Sequence, residues 1–153
     1  MTIVEETGGR NSLIAPDDNA CESIEVETVT MAEAFERLGI ARANLVKIDA
    51  EGHDAAILSG ARKLLVAGRI DVVQFEYNHT WVHARAFLKD IFDLVAGLPY
   101  EAARIRPRRI EILDAWHPEL ERYFHANYLL VHSGALSWFD VHRGRFDESN
   151  TYA

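Results

Sequence analysis

The sequence predicts an α/β fold organised around one parallel strand–helix–strand unit, on three observations. Asn44 to Ile48 contains the apolar run Leu45, Val46, Ile48 of a buried parallel strand; Asp49-Ala50-Glu51-Gly52 then supplies a tight turn, and helical periodicity begins at His53. Residues 70–76, with Ile70, Val72, Val73 and Phe75, form a second such strand, and a crossover of this length makes a right-handed parallel pair in nearly all known cases. The composition, 48% hydrophobic and 26% charged, is that of a globular chain.

The remaining elements follow in order. Residues 1–23 contain Gly8-Gly9 and Pro16-Asp17-Asp18-Asn19 and read as loop, with a short strand at 2–5. Residues 24–30 alternate Ile24, Val26 and Thr28 with Glu25, Glu27 and Val29, which predicts a half-exposed extended segment. Thr30-Met31-Ala32-Glu33 is a capping box for a helix over 31–38, with Met31, Ala34, Phe35 and Leu38 on one face and Gly39 as its stop. After strand 45–49, the stripe Ala55, Leu58, Ala61, Leu65 predicts one bent helix or two short ones over 53–66, interrupted at Gly60 and ended by Gly68. Beyond strand 70–76, Thr80 is placed to cap a long helix through Ala84, Phe87, Leu88, Ile91, Phe92 and Val95, closed by Gly97-Leu98-Pro99. Residues 100–105 and 109–113 flank Arg106-Pro107-Arg108 as a hairpin, Pro118 opens a brief helix, and 127–132 is a late strand. The tail over 137–153 shows no clear period. At 153 residues the chain is expected to be a single domain.

Composition also narrows the partners. A formal net charge of −8 disfavours nucleic acid, whose phosphates reward an excess of Lys and Arg. No apolar run approaches the length of a membrane span, and the N-terminus has neither a basic start nor an apolar signal core, so a cytoplasmic location and no membrane partner are expected. Cys21 is the single cysteine, which excludes an internal disulfide and leaves it a reduced bystander. A small molecule is the partner that fits.

Asp49 and Glu51 stand at the carboxyl end of a strand, where ligands of open α/β sheets bind. Two close carboxylates can separate in pKa to serve as base and orienter, or can hold a cofactor amine or a sugar hydroxyl. The plainer alternative is that Asp49 ends its strand by accepting backbone N–H bonds while Glu51 sits favourably near a helix N-terminus. His53 is either a proton acceptor for a hydroxyl or a surface histidine. Glu76, Asn78 and His79 follow the next strand, as substrate contacts or as turn formers. Arg104, Arg106, Arg108 and Arg109 concentrate basic charge in an acidic chain, either to hold a phosphate or carboxylate or as a solvated hairpin tip. His79 and His83, four apart and near Glu76, lack a third well-spaced ligand, and no metal is assigned.

Lys47-Ile48-Asp49-Ala50-Glu51-Gly52-His53-Asp54, followed by Ile57-Leu58-Ser59-Gly60-Ala61, resembles the K-I-D-x-E-G-x-E/D…(V/I)-L-x-G-A signature of FkbM-type S-adenosylmethionine-dependent methyltransferases. Val26 to Thr30, Gln74-Phe75-Glu76-Tyr77-Asn78 and Asn127-Tyr128-Leu129-Leu130 resemble further segments of that family in the same order. The resemblance implies a Rossmann-like class I methyltransferase fold in part, its C-terminal half, with strand 126–132 running antiparallel beside 70–76. It implies S-adenosyl-L-methionine as cofactor and O-methylation of a hydroxyl on a sugar or natural product. Asp49 and Glu51 would line the methyl-transfer site, with Asp49 also touching cofactor, His53 as a secondary catalytic candidate, and Glu76, Asn78 and His79 toward the acceptor. The family's glycine-rich cofactor loop, D-x-G-A-N-x-G, and the acidic residue that follows it on the next strand are not found in this sequence. A domain truncated at its N-terminus is therefore expected, with strand 45–49 left as an open edge that promotes self-association. A non-catalytic binding module, or a fragment needing a partner half, is the alternative.

Overall fold

The computed structural model describes residues 2–3, 22–23 and 25–144. The elements are β1 (Thr2–Ile3), β2 (Glu22–Ser23), α1 (Met31–Arg37), β3 (Ala43–Ile48), α2 (Asp54–Gly60), α3 (Arg62–Val66), β4 (Ile70–Tyr77), α4 (Thr80–Ala84), α5 (Leu88–Val95), β5 (Tyr100–Arg106), β6 (Arg109–Leu113), β7 (Ala126–His132) and β8 (Val141–Gly144). β1 and β2 form a small antiparallel pair. The other six strands make one mixed sheet in the order β3-β4-β7-β5-β6-β8.

β3 and β4 are parallel, with Leu45 opposite Val72 and Ile48 opposite Phe75. β7 runs antiparallel to β4, as the family resemblance implies, pairing Asn127 with Glu76. One sheet face, with Val73, Phe75 and Tyr77 of β4 and Tyr128 and Leu130 of β7, packs against Leu58, Leu64, Leu65, Leu88 and Ile91 from the helices. The other face carries Val72, Ala103, Ile110, Ile112, Leu129 and Val131, and is partly covered by the 3-10 turn Ser133–Trp138 through Ala135. No helix among the described residues is long and apolar enough to cross a membrane.

Local chemistry explains most boundaries. The Thr30 hydroxyl accepts the Glu33 N–H at 3.2 Å and starts α1. Helix 53–66 is two helices that share Ala61 as cap, because the stripe turns inward twice, burying Leu58 and then Leu64 and Leu65. At the lower end of the sheet Asp71 is buried, bonded by Arg42 and by Asn44 at 2.7 Å; the Arg42 hydrogen bond holds its carboxyl below the usual range.

Four expectations are corrected. Residues 25–30 pair with no strand and lie exposed, since alternation alone cannot supply a ladder partner. Leu45, expected in a buried run, is 59% exposed, because β3 stands at the sheet edge, the position expected for strand 45–49 from the family resemblance. The long helix from Thr80 is broken: Arg85 adopts a left-handed conformation (φ 53°), and α5 restarts with Leu88 and Lys89 donating their N–H groups to the Glu121 carboxylate at 3.0 and 2.8 Å. That cap comes from more than thirty residues downstream, so periodicity could not foretell it. The region after Ser137 adds β8, paired parallel to β6, and residues 145–153 lie outside the described part.

Candidate active site

The site is made by two turns at the carboxyl ends of the parallel strands. After β3, the Asp49-Ala50-Glu51-Gly52 turn places Glu51 (φ 48°) and Gly52 (φ 99°) in left-handed conformations. A Cβ on Gly52 would stand 2.9 Å from the Thr80 carbonyl oxygen and 3.0 Å from its hydroxyl, so the first turn is packed directly on the second. The second turn is fixed by Asn78, whose Oδ1 accepts the Thr80 N–H at 2.8 Å and the Thr80 hydroxyl at 2.7 Å. Below both, the Asp54 carboxylate is buried and accepts the Glu76 N–H at 3.4 Å. Trp81, fully buried, donates its indole N–H to the Glu76 carbonyl at 2.9 Å.

This packing brings Asp49, Glu51 and Glu76 together, one carboxylate oxygen from each within 4.8 Å of the others. The electrostatic result is uneven. Asp49 is exposed and paired with the Lys47 ammonium at 2.7 Å. Glu76 accepts the Asn78 amide at 2.9 Å and touches the His125 imidazole. Glu51 has its carboxyl pushed up by burial first, then by the charges of Glu76 and Asp49. Asp54 is also pushed up by burial, while backbone N–H bonds pull it the other way. Three converging carboxylates suit a cationic group, and offer one oxygen each to a metal ion.

The sequence-predicted residues separate into two groups. Asp49, Glu51 and Glu76 meet. His53 stands beside them in the chain at the start of α2, half-buried, and its Nδ1 has no hydrogen-bond partner among the described residues. Asn78 is buried, with both its oxygen and its nitrogen bonded within the turn. His79 and His83 are exposed, and among the described residues the group close enough to hold one ion is the three acids, without either histidine. The signature includes Lys47 and Asp54 without a role for either, and sequence reasoning did not reach His125. His125 was findable: it precedes a strand expected to run antiparallel beside β4, which sets it opposite the end of β4 where Glu76 lies.

Gly52→Ala should destabilise the fold by about 2–4 kcal/mol, from a left-handed backbone and an overpacked contact with Thr80. Denaturant unfolding checks this, and a loss under about 0.5 kcal/mol, the size of an ordinary surface change, would contradict the packing. Glu51 gives a pH prediction. Its folded pKa lies above its ordinary value of 4.5, so its contribution to stability is full below that value and is lost as pH rises through the folded pKa. Glu51→Gln should therefore unfold at higher temperature than wild type at pH 7, with the difference closing below pH 4.5. Equal melting at both pH values would contradict it.

Residues 1–126, most of the chain, match the family model described as Methyltransferase FkbM domain. No curated protein and no solved structure gives a significant match. The matched region contains both site turns, all three acids and His125, and it agrees with the signature centred on Asp49 and Glu51. The chain belongs to the FkbM methyltransferase family.

Proposed function

We propose that the protein is an S-adenosylmethionine-dependent O-methyltransferase on a Rossmann-like class I scaffold, acting on a hydroxyl of a sugar or related natural product. The observation that carries this is the convergence of Asp49, Glu51 and Glu76 at the ends of two parallel strands, in a chain of this family. The cofactor, when bound, supplies an electrophilic methyl group on a cationic sulfonium. A net-negative cluster fits that cation, and Asp49, the most exposed of the three acids, would hold it. The antiparallel β7 inserted between β4 and β5 supports the class I assignment.

The acids have different tasks in this account. Asp49, paired with the Lys47 ammonium and open to solvent, acts as an electrostatic partner. Glu51 is the better proton acceptor, because a carboxylate lifted by burial and by like charges accepts a proton more readily near neutral pH. Glu76, held by Asn78 and His125, stands beside Glu51 and adds to the upward push on the Glu51 carboxyl. The proton leaves the acceptor hydroxyl for Glu51 as the oxygen becomes nucleophilic.

General-base assistance contributes about 10²–10⁴-fold in rate, so Glu51→Gln should lower methyl transfer by that order without loss of folding stability. Asp49→Asn should also lower it, with losses that do not add in the double variant. The assay is transfer of labelled methyl from S-adenosylmethionine to a panel of hydroxylated acceptors by the full-length protein. Unchanged turnover in both variants would overturn the assignment. A second reading is a non-catalytic binding module of the same family. Absence of both turnover and calorimetric binding of S-adenosylmethionine would select it.

A further inference from the structure

On the sheet face opposite the helices, a groove of about 530 Å³ lies open, within the range of small-molecule sites. Leu45, Val72, Ile105, Leu129, Trp138 and Phe139 line it. Leu45, Ile105 and Trp138 are 59%, 42% and 54% exposed, so this apolar surface faces water. The same groove is lined by Arg106, Arg108 and Arg109 from the β5–β6 hairpin.

These arginines are arranged at a cost. Arg106 and Arg109 are direct cross-strand partners, and like charges in that relation repel. Arg108 has a left-handed backbone (φ 69°), a conformation that favours glycine or asparagine. Arg104, by contrast, turns to Glu111 in a 2.6 Å ion pair. Among the described residues no ion pair involves Arg106, Arg108 or Arg109, and the one carboxylate in the groove lining, Asp140, is outnumbered by the three guanidiniums. In a chain of net charge −8, three cations with no ion pair among the described residues, set beside an apolar trough, form a local inversion of charge.

We propose that this groove binds a single-chain amphiphile: an alkyl or acyl tail lies along the apolar lining, and a carboxylate or phosphate head is held by Arg106, Arg108 and Arg109. Charge complementarity selects the head, since guanidinium forks match both anions and among the described residues no carboxylate forms an ion pair with these three arginines. The apolar side chains of Leu45, Val72, Ile105, Leu129 and Phe139 in the same lining select a tail over a bare anion. The proposal is independent of methyl transfer, because none of Asp49, Glu51 and Glu76 lines the groove.

Trp138 provides the readout. It lines the groove, whereas Trp81 is fully buried elsewhere and Trp116 donates its indole N–H to Glu121 outside the groove lining. Sodium dodecanoate and dodecyl phosphate, each below its micellar concentration, should change the fluorescence of the full-length protein saturably, and the change should be lost in Trp138→Phe. Calorimetry should give one site per chain. Dodecyltrimethylammonium and inorganic phosphate should not saturate it. A preference between the two anionic heads assigns the source as fatty carboxylate or phosphate ester. The double variant Arg106→Gln/Arg109→Gln should weaken binding roughly tenfold or more while circular dichroism is unchanged. Ile105→Ser should weaken it for both heads alike. No saturable binding, equal binding of the cationic amphiphile, or indifference to the arginine substitutions would overturn the proposal. So would probe signals that arise only from splitting a dimer, seen by light scattering, which would assign the groove to a second copy.

Discussion

The contact between Gly52 and Thr80 sets the geometry on which the site depends. With no Cβ, Gly52 lets the turn after β3 rest on the carbonyl and hydroxyl of Thr80, closer than any other residue would allow. The two turns therefore act as one body. Asp49 and Glu51 come from one of them, Glu76 from the strand that leads into the other, and their meeting is a consequence of that fit. Asn78 and Asp54 serve the same end, one closing the second turn and the other supporting the last residues of β4 from below.

Bringing three carboxylates together opposes folding. Their mutual repulsion and the partial burial of Glu51 raise its pKa, and Glu51 also carries a left-handed backbone that disfavours a side chain. A fold selected for stability alone has no use for such an arrangement, whereas a site that must accept a proton or face a cation does. The nearby cations moderate the repulsion without abolishing it: Lys47 neutralises Asp49 in solvent, and His125 reaches Glu76 from the start of β7. The basic hairpin and the acidic cluster are thus two clusters of opposite charge on one sheet.

The central unit was legible in the sequence because its signals are local. Apolar runs at Leu45–Ile48 and Ile70–Phe75, a glycine turn between strand and helix, and a single crossover suffice to place Asp49 and Glu76 on neighbouring strands. What was not legible depends on contacts distant in the chain. Glu121 caps α5 and also receives the Tyr77 hydroxyl and the Trp116 indole N–H, each at 2.8 Å, and no period in residues 80–95 announces it. β8 forms only because β6 offers an open edge, so its four residues carry little pattern of their own. The burial of Asp54 has no local signal, since burial is a property of the assembled sheet and not of its neighbours in sequence.

The claim that Asp49, Glu51 and Glu76 form one electrostatic unit is tested most directly by following the Glu51 carboxyl carbon through a pH titration by NMR. Its midpoint should lie above the ordinary 4.5 in the wild-type protein. It should move down in Glu76→Gln and in Asp49→Asn, yet stay above the ordinary value in each, because burial, the largest cause of the shift, remains. An ordinary midpoint in the wild type, or one that neither substitution moves, would contradict the account.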